Sequence, residues 1–150
     1  MVVNMDELDK KIIRVLQQDA RQSFNKVAEK VGSSTATVSD RVKKMQNSGV
    51  IRGYTALLNT SMIGMTTLIA MVRMKPDYSI TKAGDEISQL QEACCVHNVT
   101  GDFDILVSLK CFGYDECTEV IERLKSVSGV ERVDTHIVLK TMKEQLEIGL

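Results

Sequence analysis

The sequence predicts an α+β protein with a helical N-terminal part and a longer C-terminal part in which strands and helices alternate. Up to about residue 47, apolar residues recur at the three- and four-residue spacing of amphipathic helices. After residue 65, strand-like stretches flank two helical stretches, and the spacing of Leu90, Val96 and Val99 recurs 34 residues later. A chain of 150 residues is long enough for two modest domains.

Three helices are predicted in the N-terminal part. The first covers residues 6–19 and has an acidic first turn, which suits the helix dipole. The second begins after Ser23, a good N-cap, and stops at Gly32. The third begins after Ser34 and runs to about Asn47, with Val38, Val42 and Met45 facing inward. The apolar faces of the three helices can enclose one small core.

The outward face of the third helix is polar in a particular order. Short hydrogen-bonding side chains come first along the helix and cations follow. A helix that recognises DNA places its first turns against base edges and its later charges against phosphates. The predicted DNA-binding residues are Ser33, Ser34, Thr35, Thr37, Ser39, Asp40, Arg41, Lys43, Lys44 and Arg52. The alternative for this pattern is a solvated amphipathic helix without a ligand.

A wing is predicted after the third helix. Gly49 is a helix C-cap, and residues 50–58 have the composition of a strand and wing that carries Arg52 and Tyr54. Three helices and a wing over about residues 5–58 predict a winged helix-turn-helix. Residues 1–59 contain ten Lys and Arg against six Asp and Glu, whereas residues 60–150 contain nine against fourteen. Only the N-terminal part is therefore suited to a polyanion.

Two βαβ units are predicted in the C-terminal part. The strands are residues 66–74, 94–99, 104–110 and 130–140, and the helices are residues 80–90 and 114–126. This order predicts a βαββαβ ferredoxin-like domain with a four-stranded antiparallel sheet and both helices on one face. We therefore expect a DNA-binding domain at residues 1–59, a hinge at 60–64 and a second domain at 65–150.

The first strand of the second domain is apolar on both sides. Leu68, Ala70 and Val72 alternate with Ile69 and Met71. Because the helices cover one face, the other is either a binding surface or an aggregation risk. A second copy of the sheet would cover it, so we expect a homodimer.

The four cysteines are expected to be reduced thiols of an intracellular chain. Cys117 lies on a helical apolar stripe and is expected to pack in the core. Cys94 and Cys95 are adjacent on a predicted strand, so they point to opposite faces; a metal site with His97 is an alternative that lacks any C-x-x-C pair. We predict no metal, no cofactor and no catalytic residue, since no phosphate loop or Ser/His/Asp order appears.

A cytoplasmic location without a membrane partner is expected. No apolar run reaches the roughly 20 residues of a membrane span, and no signal peptide opens the chain.

Several motifs together resemble one protein family. They are Leu8-Asp9-x-x-Ile12-Ile13-x-x-Leu16, Asp19-Ala20-Arg21, Val27-Ala28 with Val31-Gly32, Arg41-Val42, and Gly49-Val50-Ile51-x-Gly53-Tyr54-Thr55-Ala56-Leu57-Leu58-Asn59. Over nearly its whole length the chain resembles the Lrp/AsnC, or feast/famine, transcription factors. The resemblance implies a ferredoxin-like (RAM) effector-binding and oligomerisation domain and face-to-face sheet dimers, often assembled into tetramers or octamers. It also implies effectors, commonly amino acids, that bind between subunits.

The predicted effector site centres on Gly101, between the two βαβ units. Glycine allows positive φ and close approach of a ligand, and the neighbouring carboxylates can accept from an ammonium group. An ordinary β-turn is the alternative; the resemblance favours an effector loop that the last strand also lines. The predicted effector-binding residues are Val99, Thr100, Gly101, Asp102, Asp104, Asp134, Thr135 and His136. For His136 the alternative is a solvent-facing strand histidine.

The predicted function is sequence-specific DNA-binding transcriptional regulation under small-molecule control. The expected partners are double-stranded DNA, further copies of the chain and an effector such as an amino acid. The alternative is a stand-alone small-molecule sensor without specific DNA binding, which the basic N-terminal part argues against.

Overall fold

In the computed structural model, which describes residues 3–144 and 147–149, three N-terminal helices surround one apolar core. They are α1 (Glu7–Gln18), α2 (Phe24–Val31) and α3 (Thr35–Asn47). Each begins where the sequence supplies a cap, because the side chains of Asp6, Ser23 and Ser34 accept from the backbone N–H three residues on. The core consists of Ile12, Leu16, Val27, Ala28, Val38, Val42 and Met45. The three predicted helices are confirmed.

The predicted wing does not form within the single chain. A strand needs a neighbour that takes its backbone hydrogen bonds, and no described strand of the chain pairs with residues 50–58. Tyr54, Leu57 and Leu58 are consequently exposed. The expected hinge at residues 60–64 is instead a short 3-10 helix, Thr60–Ile63. The side chain of Asn59 caps this helix, and Gly64 ends it at φ 78°.

The C-terminal sheet has the strand order of a βαββαβ domain. Its elements are β1 (Met65–Met74), α4 (Ile80–Ile87), β2 (Ala93–Asn98), β3 (Ile105–Phe112), α5 (Gly113–Ser126) and β4 (Val130–Ile137). The strands lie in the order β2-β3-β1-β4, and all neighbours are antiparallel. The predicted topology is confirmed. Helix α4 ends earlier than predicted because the N–H groups of Gln89 and Leu90 donate to the carbonyls three residues back, those of Glu86 and Ile87, and no longer to those four residues back.

One face of this sheet carries the core and the other is open. The core residues of the strands include Leu68, Ala70, Val72, Ile105, Val107 and Leu109, and they pack with Ala83, Ile87, Val120 and Leu124 of the two helices. The alternate positions Ile69, Met71 and Leu106 lie on the opposite face, in the centre of the sheet. The prediction that one apolar face is left uncovered by the helices is therefore confirmed.

Two of the cysteines are disulfide-bonded, so the expectation of four reduced thiols was wrong. Cys111 at the end of β3 and Cys117 in α5 form a disulfide with their Cα atoms 5.3 Å apart. The helical stripe predicted only core packing for Cys117, because sequence spacing does not show that α5 turns back directly after β3. Cys94 and Cys95 are exposed and outside any disulfide, and Cys94 is the extra residue of a bulge in β2.

The chain divides into two compact units. The C-terminal unit is Leu58–Met142, whereas the described residues up to Leu57 and those after Met142 form the N-terminal unit. In this unit Gln17 of α1 donates to the Ile148 carbonyl at 3.2 Å and accepts from the Ile148 N–H at 2.8 Å. The expected extent of the second domain, residues 65–150, stays a prediction.

At one end of the C-terminal sheet, the loop before α4 contacts the loop before β4. The Lys75 N–H donates to the Gly129 carbonyl at 2.8 Å. The ring of Tyr78 lies against Gly129, whose φ is +85°, and a Cβ at this position would lie 2.3 Å from Cγ of Tyr78.

Candidate functional site

The first turn of α3 is organised by its own hydroxyl groups. Ser34 Oγ accepts from the Thr37 N–H at 3.1 Å and lies 2.8 Å from Thr37 Oγ1. Thr35 Oγ1 donates to Asn25 Oδ1 at 3.1 Å and so ties α3 to α2. A hydroxyl that donates one hydrogen bond can still accept another. These three predicted DNA-binding residues therefore have a structural role and keep the capacity to accept from a base.

The later turns of α3 carry exposed charges. Lys43, Lys44 and Asp40 are exposed, as is Arg52 beyond the helix, whereas Ser39 is half-buried. Ser33 is also half-buried and donates its N–H to the Ala28 carbonyl at 3.0 Å, so it helps to end α2. Nine of the ten predicted residues thus lie in the turn, in α3 or in the segment after it. Their side chains form no ion pair with any residue that the structure describes.

Arg41 is the tenth predicted residue, and the structure places it differently. Its guanidinium lies 2.5 Å from Asp6 Oδ2 and 3.2 Å from Asp9 Oδ1, and thus joins α3 to the beginning of α1. The Asp9 N–H, and then Arg41, lower the pKa of Asp6. Both carboxylates are bound by Nη1, so a phosphate at that nitrogen would compete with them. The signal in the sequence was Asp9 itself, a carboxylate in helical register with Ile12 and Leu16 of the core.

The loop around Gly101 is held to the end of β1. Gly101 has φ 115°, the Val99 N–H donates to the Asp104 carbonyl, and the Asp104 N–H donates to the Val72 carbonyl at 2.9 Å. Asp104 Oδ2 accepts from the Met74 N–H at 2.7 Å. Asp104 is therefore a structural carboxylate, whereas Thr100, Gly101 and Asp102 form the exposed tip.

Arg73 is a component of this region that sequence reasoning missed. Its Nε and one terminal nitrogen donate to the Asp102 carbonyl at 2.8 and 2.5 Å. Its guanidinium carbon lies 5.6 Å from the centroid of the Phe103 ring, at cation–π distance. The signal was a single cation in a mostly apolar first strand, which calls for a polar partner at the sheet end.

Only some of the effector-binding residues predicted on the last strand lie near the Gly101 loop. In the register of β4 with β1, Asp134 and His136 lie on the open face and Thr135 lies opposite Ala70 on the helix side. Asp134 accepts from Arg132 Nε at 2.7 Å, and Arg132 lies directly opposite Arg73. Within one chain the structure therefore brings Asp134 towards the loop. It does not bring Thr135, which faces the helix layer, nor His136, which lies further along the strand.

Two other kinds of site are not found in the described part of the chain. No group of three or more His, Cys, Asp or Glu side chains there is arranged to hold a metal ion. No helix among residues 3–144 and 147–149 is long and apolar enough to cross a membrane.

Comparison with known proteins identifies both units. A family model of the AsnC-type helix-turn-helix domain matches residues 5–46, and one of the Lrp/AsnC ligand binding domain matches residues 67–148. An uncharacterized HTH-type transcriptional regulator of Pyrococcus abyssi is 34% identical over 96% of this chain and 98% of that protein. The HTH-type transcriptional regulator FL11 of the same organism is 31% identical over 100% of this chain and 99% of that protein. A crystal structure of a Neisseria meningitidis transcriptional regulator in complex with L-Met has a TM-score of 0.85 and 23% identity, with 97% of each chain covered.

A helix-turn-helix followed by a ligand-binding domain defines a DNA-binding transcriptional regulator. The chain belongs to the Lrp/AsnC family. Its N-terminal unit is the DNA-binding part, and its C-terminal unit is the part that receives a small-molecule effector.

Proposed function

We propose that the protein recognises specific operator sequences in double-stranded DNA, as a homodimer or larger assembly, under the control of an amino acid. The observation that carries this proposal is the exposed face of α3, where hydroxyl groups in the first turn precede the cations of later turns. That arrangement matches the order in which a recognition helix meets bases and phosphates.

Specificity is tested by selecting bound fragments from random DNA with the full-length protein. We expect a motif made of two related half-sites about one helical turn apart, because a two-fold dimer presents two recognition helices. Recovery of fragments that share no motif would contradict sequence-specific binding and would favour the alternative of a small-molecule sensor.

The DNA-binding residues have separate proposed roles. Thr35, Thr37 and Ser39 contact base edges, and Ser33 and Ser34 shape the turn before α3. Lys43, Lys44 and Arg52 contact phosphates, with Asp40 beside them on the exposed face. Arg41 keeps α3 in position through its ion pairs with α1.

The open face of the C-terminal sheet supports self-association. Ile69, Met71 and Leu106 form its apolar centre, and a second copy of the same face would remove them from water. At about 25 cal/mol per Å² of apolar surface, burial of a face of this kind is a substantial driving force.

The loop around Gly101 is the proposed effector site. Its tip is exposed, positive φ at Gly101 turns the backbone, and the carboxylate of Asp102 can accept from an ammonium group. The Neisseria meningitidis regulator was crystallised with L-Met, and this supports an amino acid as the effector class. A ligand at this place changes DNA binding if it alters how dimers associate.

The protein is proposed to act in the cytoplasm, where a DNA-binding regulator of this family meets its operators. Fractionation of cells that express the tagged full-length protein should place it with the cytoplasmic and DNA-bound material and not with membranes.

A further inference from the structure

Two hydrogen bonds in series join α2 to the first residue of α3. The side-chain NH2 group of Asn25 donates to Glu29 Oε1 at 3.1 Å, and Thr35 Oγ1 donates to Asn25 Oδ1 at 3.1 Å. All three side chains are exposed and belong to the N-terminal unit. We call Glu29, Asn25 and Thr35 the amide relay.

Glu29 fixes the direction of both hydrogen bonds in the amide relay. A carboxylate has no proton to donate, so the Asn25 amide must turn its NH2 group towards Glu29. The amide oxygen then faces Thr35, and an amide oxygen can only accept. The Thr35 hydroxyl has a single proton, which it gives to Asn25. Towards any further partner, Thr35 can therefore only accept.

The neighbouring hydroxyl groups of the same turn are not constrained in this way. Ser34 Oγ and Thr37 Oγ1 lie 2.8 Å apart, and either oxygen can be the donor. A change in the direction of this bond lets Thr37 present either a proton or a lone pair. Only Thr35, of these two threonines, is held in one hydrogen-bonding state by a carboxylate.

We propose that the amide relay makes Thr35 a reader of amino groups in the major groove. Adenine presents N6 and cytosine presents N4 as donors there, whereas guanine and thymine present only acceptors and the thymine methyl group. Thr35 accepts from the two amino groups, and a keto oxygen in the same place would face a second acceptor. This inference rests on the proposed sequence-specific binding and deepens it by naming the base chemistry that one residue recognises.

Asn25 and Glu29 are positioning residues in this arrangement. They act through the Thr35 hydroxyl, at the end of α3 where a recognition helix meets base edges. Their contribution is therefore to the choice of base, and this separates it from the sequence-independent contribution of a cation to phosphate binding.

The test is selection of bound fragments from random DNA with the full-length protein and its variants. In the wild-type motif we expect one position in each half-site that accepts both adenine and cytosine. These two bases should be favoured over guanine and thymine by about tenfold in affinity, roughly the effect of one unmade hydrogen bond. Thr35→Val keeps the shape of the side chain without the hydroxyl, so it should lose the preference at that position alone.

Glu29→Lys tests the direction of the amide relay. Lysine can only donate, so it should bind the Asn25 carbonyl and turn the NH2 group towards Thr35. The Thr35 proton is then free for a base, and guanine and thymine should be bound at least as well as adenine and cytosine. Asn25→Ala also frees this proton and should abolish the preference. Glu7→Lys, on the exposed surface of α1, makes the same charge change outside the relay and should keep the preference.

The outcomes separate this inference from the function on which it rests. A wild-type motif in which no position distinguishes adenine and cytosine from guanine and thymine would overturn the role of the amide relay, while specific binding stands. The same holds if Glu29→Lys and Asn25→Ala keep the wild-type preference. If the wild-type protein selects fragments without a shared motif, the proposed specific binding fails and the inference fails with it.

Discussion

The cations on α3 differ at the scale of single residues. Arg41 is bound by Asp6 and Asp9, so its charge is already neutralised within the N-terminal unit. Lys43 and Lys44 are exposed and point away from the core. Only a cation that releases counterions from DNA contributes to the salt dependence of binding. The lysines should therefore determine that dependence, and Arg41 should determine how firmly α3 is held.

Changing Lys44 to Ala should weaken binding to all DNA sequences and reduce the slope of log affinity against log salt by about 0.9. Changing Thr35 to Ala should instead alter which bases are preferred, by about 1–3 kcal/mol at one position. Both are measured by titrating operator and random DNA at several salt concentrations, with Lys82→Ala as the control outside α3. Equal losses on operator and random DNA for both changes would show that the assigned roles are wrong.

The ion pair at Asp6 predicts a pH dependence of stability. The Asp9 N–H and Arg41 lower the pKa of Asp6 below 3.8 in the folded state. A carboxyl group with a depressed pKa contributes stability above 3.8, and the contribution is lost as pH falls through the lowered value. Asp6→Asn keeps an N-cap but removes the charge, so it should unfold more easily than wild type at neutral pH.

The difference between Asp6→Asn and wild type should shrink in denaturant unfolding of the full-length protein well below pH 3.8. Asp85→Asn, on the exposed surface of α4, is the control for loss of a carboxylate. A difference that stayed constant with pH would show that the ion pair does not contribute.

At the scale of elements, sequence pattern predicted the helices and strands well because their causes are local. The caps predicted at Ser23 and Ser34 and the two periodicities gave most boundaries, whereas Asp6, expected inside α1, is its N-cap. The prediction of a wing failed because a strand also requires a partner strand, which the sequence of residues 50–58 cannot supply. Arg73 and the Cys111–Cys117 disulfide were missed for a related reason: both depend on which elements meet in space.

The Gly101 loop makes a prediction at this scale. No atom of the described residues lies within 4 Å of a Cβ at this position, so the effect of Gly101→Val comes from the backbone. A φ of +115° is strained for valine by about 1–3 kcal/mol. The loop should change conformation and lose effector binding in calorimetry, while DNA binding without effector stays within about twofold because the N-terminal unit is unchanged.

Gly84→Ala is the matched glycine control for this loop prediction, since Gly84 lies in α4 without positive φ and with open space around it. A Gly101→Val protein that responds normally to the amino acid bound by wild type would identify the loop as an ordinary turn.

At the scale of the whole molecule, we expect assembly to depend on the open sheet face. Replacing Ile69 with Glu places a carboxylate at the apolar centre of that face, opposite Ser108 and His136. Burial of an uncompensated charge costs about 3–5 kcal/mol, so the assembly should dissociate and operator affinity should fall because paired half-sites are no longer bound together. Sedimentation equilibrium measures the first effect and operator titration the second.

Glu at the exposed position Thr81 of α4 adds the same charge on the helix side and should leave the assembly intact. A wild-type protein that sediments as a monomer at micromolar concentration would refute sheet pairing altogether.

The contact between Tyr78 and Gly129 determines which residues can replace the glycine at position 129. A Cβ at position 129 would overlap the base of the Tyr78 side chain, and φ of +85° is unfavourable for most other residue types. Exposed glycines with open surroundings, such as Gly53, meet no such obstacle. In a library of all single substitutions, position 129 should therefore tolerate almost no replacement. A compensating replacement at Tyr78 by a smaller side chain would be needed before alanine could be accepted there.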